Sequence, residues 1–527
     1  MKVLISDNLS SVGIDYFKQT PDIEVDVNTG LSPEALKEII GQYDALVIRS
    51  ATKVTEDLIA AADNLKVIGR AGIGLDNVDI PAASQRGIVV MNTPDGNTVT
   101  TAEHTIAMIM SLSRNIPQAT ESLKDGRWDK KKLQGRELFN KTLGIIGAGH
   151  IGKIVADRAK GLRMKVIIYD PYLKPETVEQ LAVESVGFEE LLARADIISI
   201  HVPRTNETLN LIDAKAMAAM KPGTLLVNCA RGGIVNEDDL FDALSSGHLA
   251  GAALDVFCTE PPGEHRLMTL PNFICTPHLG ASTREAQDTV ARDVAEQITA
   301  YLTEGAVKNA VNVPSVDAQL MDVLKPYVLL AEKLGMVQAQ LAAGAILEAE
   351  IACLGQMTQY DLTPLTTAML KGLLTPILKD DVNFVNAPVI ARDRGIKVSE
   401  SRSETSPDFA SLIKVAVRTD KGESVVSGTV FGGGRLPRLV RINRFYFEAV
   451  PEGHNLLVVS EDSPGVIGII TGLLGKHGVN ISRMQVAEKN GDNQNIALLA
   501  TSIRAEDAVL KEIRNQPQVA SVQRIDL

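Results

Sequence analysis

Three polar residues stand just past the ends of apolar, β-branched runs: Arg231 in NCARGG, Glu260 in DVFCTEPP and His278 in TPHLGAST. Ligands of open α/β sheets lie outside the carboxyl ends of the strands, so these positions are the first candidates for chemistry. An arginine fork can hold a carboxylate and polarise the neighbouring carbonyl or hydroxyl oxygen better than a point-charge lysine. A histidine near the same carbon can take a hydroxyl proton as a hydride leaves, and return it in reverse. A carboxylate beside that imidazole orients it and favours its protonated form. Singly, each residue has a plainer reading: a surface arginine near glycines, a loop carboxylate before two prolines, a core histidine. Together they read as a hydride-transfer set.

A departing hydride needs an acceptor, and Leu143-Gly-Ile-Ile-Gly147-Ala-Gly149-His-Ile-Gly152 supplies a place for one. The segment ends a strand and opens a helix running to Gly161. Gly147 permits the tight turn, Gly149 lets the backbone approach a pyrophosphate, and Gly152 allows close helix-to-strand packing, while the helix N-terminus offers unpaired N–H donors. The next strand, Val166–Asp170, ends on a carboxylate 18 residues past Gly152. There it can accept hydrogen bonds from ribose hydroxyls and repel a 2′-phosphate, which favours NAD over NADP. The alternative is that Asp170 before Pro171 only starts a turn.

These residues need elements to hold them, and 527 residues are too many for one core. The first ninety-odd residues alternate short β-branched runs with helix-like stretches, which predicts βαβ units and a parallel sheet. After an apolar helix pattern at Thr101–Asn115, a second alternating series places strands near 142–147, 165–169, 196–202, 224–229, 251–257 and 273–276. The expected fold is α/β: two doubly wound parallel-sheet domains, a Rossmann NAD domain inserted in a flavodoxin-like substrate domain. The expected ranges are 1–97 with 287–314 for the substrate domain and 98–286 for the NAD domain, the 284–304 helix packing back on the first sheet. Residues 315–452 are expected to make an α+β domain intervening before the last unit, helical to about 343 and mixed afterwards, with a Gly-rich turn at 432–434 and arginines at 435, 438, 441 and 444. Residues 453–527 read strand, helix, strand, strand, helix, strand, a ferredoxin-like order.

Composition excludes several classes. Sixty-five acids against 53 lysines and arginines give a net charge of −12, with no basic block for nucleic acid. No apolar run reaches the ~18–20 residues that span a bilayer, and the N-terminus is unlike a signal peptide, so neither a membrane nor export is expected and the chain reads as cytoplasmic. Cys229, Cys258, Cys275 and Cys353 form no CxxC pair; each reads as an ordinary buried thiol, and no metal site is expected. Local cations remain for a small anion. Arg49 and Ser50 end one strand, Arg70 ends another, and Lys130 opens a basic run whose Lys131 and Lys132 read as a solvated face.

The stretches GIIGAGHIG, NCARGGIV, ALDVFCTEPP and PHLGAST resemble the signatures of the D-isomer-specific 2-hydroxy-acid dehydrogenases. RSATKV at 49–54, GRAGIGLDNVD at 69–79 and MNTPDGN at 91–97 are similar, more narrowly, to the long-form D-3-phosphoglycerate dehydrogenase branch of that family. The resemblance spans essentially the whole chain. It implies that Arg231 binds substrate, His278 is the acid/base and Glu260 its partner. It assigns cofactor contacts to His150, Ile151, Asp170, Cys229, Ala230, Arg231, Asp255 and His278 beside the three glycines. Substrate contacts are expected at Arg49, Ser50, Arg70, Gly74, Asn97 and Lys130. Ile73 departs from the polar residue common in relatives, which puts a side-chain bond to cofactor there in doubt. The C-terminal pattern Asp462-Ser-Pro464-Gly-Val-Ile-Gly468 resembles an ACT regulatory domain, implying L-serine as an effector held by Ser460, Asp462 and Asn480 between paired modules of a dimer or tetramer. The implied reaction is NAD-dependent oxidation of D-3-phosphoglycerate, the first step toward L-serine. Another hydroxy acid such as glyoxylate or hydroxypyruvate, or an NAD-sensing binding protein, are the alternatives.

Overall fold

In a computed structural model of the chain, which describes residues 1–313, 318–378, 382–406, 408–432, 436–488 and 494–527, the alternating runs fold into four sheets. Lys2–Ile5, Glu24–Val27, Ala45–Ile48, Val67–Arg70 and Val89–Met91 (β1–β5) pair in parallel in the order β2-β1-β3-β4-β5. Apart from the edge strand β2, they are almost wholly buried, as expected when helices cover both faces. The Arg284–Glu304 helix lies on one face. Thr283 caps its start by accepting the Ala286 N–H, and Gly305, at φ +70°, ends it in the left-handed conformation. Its Val290, Ala291, Val294, Ala295 and Ile298 share a core with Val3, Ile5, Val47 and Val89. The helix thus returns to the first sheet although the second sheet is built before it.

The second sheet is also parallel. Its strands are Thr142–Ile146, Lys165–Tyr169, Glu184–Ser185, Ile197–Ile200, Leu225–Asn228, Gly251–Leu254 and Phe273–Cys275 (β6–β12), in the order β12-β11-β10-β9-β6-β7-β8. The chain order reverses at β6, between β7 and β9, the crevice where such sheets bind nucleotides. Strand β8 was not anticipated: its two residues are exposed at the sheet edge and carry no apolar alternation.

The third sheet is mixed. Ile346–Gly355, Lys397–Ser403, Ser411–Thr419, Gly422–Phe431, Leu436–Ile442 and Phe445–Ala449 (β13–β18) run in the order β14-β13-β15-β16-β17-β18, with only β13 and β14 parallel. Helices Ala318–Leu341 and Thr363–Leu378 accompany it. The expected boundary at 315 and Arg435, with two of the glycines in 432–434, lie outside the described residues.

His454–Glu461, Ile481–Glu488, Gln494–Thr501 and Val519–Asp526 (β19–β22) form the antiparallel sheet β20-β21-β19-β22, with helices Val466–Lys476 and Asp507–Arg514. Strands β19 and β21 are apolar on both faces. Leu456 and Val458 pack under the two helices, whereas Leu457, Ile496, Leu498 and Ile525 join the core of the third sheet. The C-terminal unit is therefore docked on its neighbour through the open face of its sheet. Among the described residues no helix is long and apolar enough to cross a membrane, and no group of His, Cys, Asp and Glu could hold a metal ion.

Candidate active site

Strand β6 delivers the glycine turn to the crevice. Gly147, at φ +94°, adopts a conformation that L side chains avoid, and a Cβ there would lie 2.6 Å from the His201 carbonyl oxygen. A Cβ on Gly152 would lie 2.1 Å from the Gly147 oxygen, so the helix can sit this close only with glycine. Around Gly149 there is nothing within 4 Å of the corresponding point, and the helix His150–Gly161 begins there without a side-chain cap. Open space beside uncapped N–H groups suits the pyrophosphate of a dinucleotide. Asp170 starts a turn, its Oδ1 accepting the Tyr172 N–H at 2.9 Å, and its Oδ2 accepts the Ala148 N–H at 2.8 Å, bracing the glycine turn, a task not read from the sequence. His150 reaches Asp95 at 3.1 Å across the mouth, both largely exposed.

Deeper in, Asp255 follows β11 and is 1 % exposed. Its carboxylate accepts Thr276 Oγ1 at 2.5 Å, Leu279 N–H at 2.7 Å and Gly280 N–H at 2.8 Å, with His104 Nε2 at 3.2 Å. Burial pushes this carboxyl up, but the His104, Thr276, Leu279 and Gly280 hydrogen bonds outweigh it and hold the group below its ordinary range. The Asp255 carbonyl also accepts the His278 N–H at 2.9 Å. One residue thus pins the turn carrying His278, which sits at φ +56°. His278 Nδ1 meets Glu260 Oε2 at 2.7 Å, while Glu260 Oε1 accepts the Phe257 N–H at 3.1 Å. With Nδ1–H donated to the carboxylate, Nε2 is left to exchange a proton.

Arg231 follows β10, and its turn abuts the Glu260 loop so closely that a Cβ on Gly232 would lie 1.9 Å from the Phe257 oxygen. Its Nε donates to Asp76 at 2.9 Å and its Nη1 to the Ala230 carbonyl at 2.7 Å. Gly74 makes room for it, since a Cβ there would collide with the guanidiniums of Arg231 and Arg70. Burial, with the like charges of Arg231 and Arg49, pushes Arg70 down to about 10, Asp76 opposing the fall. Arg49 is fixed by its backbone, its N–H donating to Asp7 at 2.6 Å and its carbonyl accepting Arg70 Nε and Asn77 Nδ2. Three arginines from three strand ends therefore converge. Asn97 precedes the Thr98–Arg114 helix with its buried Oδ1 unpartnered. Ser50 is exposed beside Arg49, and Lys130 stands exposed on the 125–140 segment without joining the arginines.

Cys229 is buried, and burial with the Asp255 charge pushes its thiol up to about 12, which suits packing rather than nucleophilic attack. Cys353 is buried too. Cys258 and Cys275, expected inside, are exposed, because one opens the Glu260 loop and the other ends an edge strand. Of the expected effector residues, Ser460 is fully buried, its Oγ donating to Asn495 Oδ1 at 2.8 Å, while Asn495 Nδ2 lies 3.4 Å from Asp462. Asn480 is not with them. Register puts Ser460 opposite Asn495 and Ile481 opposite Thr501, so Asn480 sits about 20 Å away at ~3.3 Å per residue. Arg438 pairs with Glu448 and Arg441 Nε donates to the Asn443 carbonyl, as on a charged surface.

Residues 106–280 match the D-isomer specific 2-hydroxyacid dehydrogenase, NAD binding domain, and residues 323–443 match the D-3-phosphoglycerate dehydrogenase intervening domain. A D-3-phosphoglycerate dehydrogenase from Synechocystis is 44 % identical over 97 % of this chain and 92 % of its own length. The chain belongs to the D-3-phosphoglycerate dehydrogenase family. A member from Methanocaldococcus jannaschii is 42 % identical over 100 % of both chains. A solved NAD-dependent formate dehydrogenase from Staphylococcus aureus in complex with NAD superposes with a TM-score of 0.54 at 31 % identity, covering 60 % of this chain and 100 % of that one. Family membership fits the geometry, and the structure adds Asp7, Asp76, Asn77 and His104 to the residues read from sequence. Asp7 obeys the same strand-end rule as Arg231. His104 shares a helical face with Thr101 and Thr105, a polar stripe in an apolar helix.

Proposed function

We propose that this chain oxidises D-3-phosphoglycerate to 3-phosphohydroxypyruvate, the first step toward L-serine, with NAD as cofactor. The gathering of Arg49, Arg70 and Arg231, with the Arg231 turn packed against the loop that brings Glu260 to His278, carries the reading. A substrate with a carboxylate at one end and a phosphate at the other needs cations on both sides of its reacting carbon. Arg231 keeps Nη2 for the carboxylate and the C2 oxygen, while Arg49 and Arg70 face the phosphate. Nε2 of His278 takes the C2 hydroxyl proton, and Glu260 at Nδ1 stabilises the imidazolium that forms. Bound NAD supplies the acceptor for the C2 hydride and its two electrons. Gly147, Gly149, Gly152, His150 and Ile151 would hold its pyrophosphate side, Asp170 its ribose, and Cys229, Ala230 and Asp255 its nicotinamide side. Ser50, Gly74 and Asn97 complete the substrate shell.

The same reading places the enzyme in the cytoplasm, where exposed Cys258 and Cys275 stay reduced. A homo-oligomer would cover Ile116, Leu123, Trp128 and Phe139, large apolar side chains that are exposed within one short stretch. An L-serine site would need two paired modules, since one copy keeps Asn480 apart from Ser460 and Asp462. The test is NADH formation with a panel of 2-hydroxy acids. D-3-phosphoglycerate should be oxidised most efficiently; equal use of D-glycerate would remove phosphate from the assignment, and no turnover of any acid would leave a cofactor-binding protein.

A further inference from the structure

Glu260 must stay within hydrogen-bond reach of His278, yet it stands on a loop, and a loop needs fixing points. Two are supplied from outside by one side chain. Glu237 is the first residue of the helix Glu237–Ser245, capped by Asn236, and its side chain is only 15 % exposed. Its Oε1 accepts the Cys258 N–H at 2.6 Å, and its Oε2 lies 3.0 Å from His265 Nε2. The Leu267 N–H donates to His265 Nδ1 at 3.4 Å, so that nitrogen is the acceptor and Nε2 carries the hydrogen that Glu237 receives. The His265 ring packs edge-on against Phe257, with centroids 5.7 Å apart. Phe257 in turn donates its N–H to Glu260 Oε1 at 3.1 Å.

We infer that Glu237, together with His265, is a positioning residue for the acid–base pair: its two oxygens clamp the start and the end of the Cys258–His265 loop and so hold Glu260 against His278. The inference rests on the roles given above to Glu260 and His278. A glutamine at 237 has one oxygen for two donors, and its amide N–H groups would face one of them, releasing one end of the loop. A displacement near 1 Å at a reacting pair can cost about 100-fold in rate. If Glu237 served only its helix, with a negative charge at the N-terminus, the loss would be independent of Glu260.

A double-mutant cycle separates the two. Glu237→Gln should lower kcat about 10–100-fold in the parent enzyme with KM for NAD unchanged, and by less than about twofold in a Glu260→Gln background, where there is no carboxylate left to position. His265→Gln, carried through the same cycle, should behave alike and serves if the Glu237 variant does not fold. The same factor in both backgrounds, or no loss in the parent, overturns the inference while leaving the function intact. A parent that oxidises no hydroxy acid overturns the functional reading, and this inference with it.

Discussion

Replacing Arg49 by alanine tests whether its guanidinium serves the phosphate. The substitution removes little else, because the loop is held by the Arg49 main chain, whose N–H bonds Asp7 and whose carbonyl accepts Arg70 and Asn77. Among the described residues the side chain makes one hydrogen bond, from Nη1 to the Asn8 carbonyl at 3.1 Å, which leaves other donors for a ligand. A hydrogen bond to a charged group contributes about 1.5–3 kcal/mol. Two features pull the loss toward the lower half of that range. Arg49 is partly exposed, and its removal relieves Arg70 of a like charge that now helps push it down to about 10. The expected fall in kcat/KM for D-3-phosphoglycerate is therefore about 10–50-fold, carried by KM and shrinking as salt is added. For D-glycerate, which has no phosphate, the change should stay within about twofold, inside the ±0.5 kcal/mol of a neutral surface substitution. Steady-state NADH assays at two ionic strengths measure both. Equal losses on the two acids would refute the assignment of Arg49 to phosphate.

His278→Ala should cut turnover by about 10²–10⁴ while NADH binding, followed by fluorescence titration, stays near the parent value; retained turnover would unseat it as the acid–base group. Gly152→Ala places a Cβ 2.1 Å from a backbone oxygen, which should destabilise the glycine turn by about 1–3 kcal/mol and weaken NADH binding; an unchanged Tm and affinity would contradict the packing described. Asp170→Ala removes the brace on Ala148 and, on the role proposed above, the charge toward the ribose, so the preference for NAD over NADP should fall, read as the ratio of the two kcat/KM values. Asp255 is held below its ordinary range, so its stabilisation is complete above the unfolded carboxyl pKa of about 3.9 and is lost as pH falls through the lower folded value. Asp255→Asn should thus lower Tm at neutral pH and flatten its decline below pH ~4, whereas parallel curves would deny the carboxylate that role.

What could be read from sequence was whatever local chemistry determines. Alternating β-branched runs and a capped, periodic helix at 284–304 announce themselves in consecutive residues, and so does a glycine turn whose every glycine has a steric task. Strand-end position then located Arg231, Glu260 and His278. Partnership across the chain was not legible: Arg231 finds Asp76 from 155 residues away, and the Ser10 hydroxyl finds Asp288 from 278 away, with nothing in either neighbourhood to name the other. Register hides in the same way. Ser460 and Asn480 are near in sequence, but antiparallel pairing through β21 sends them to opposite ends of a sheet. The apolar run 456–459 of β19 does not say that its second face meets the neighbouring unit.

The cations of this site are matched by carboxylates drawn from different segments. Asp76 meets Arg231, Asp7 fixes the Arg49 turn, Asp255 fixes the His278 turn and Glu260 meets His278 itself. Three arginines gathered for an anion would repel one another before it arrives, and Arg70 records that repulsion, offset in part by Asp76 and Asp7. The carboxylates therefore do two things at once: they lower the electrostatic cost of the empty cluster, and they fix the geometry that the substrate meets. The two effects oppose each other in kinetics. An amide at Asp76 leaves the site more positive, which favours an anion, but frees Arg231 from its orienting partner. Ground-state affinity and turnover should then move apart, KM falling or holding while kcat drops, and that divergence distinguishes an orienting carboxylate from one that only tunes charge.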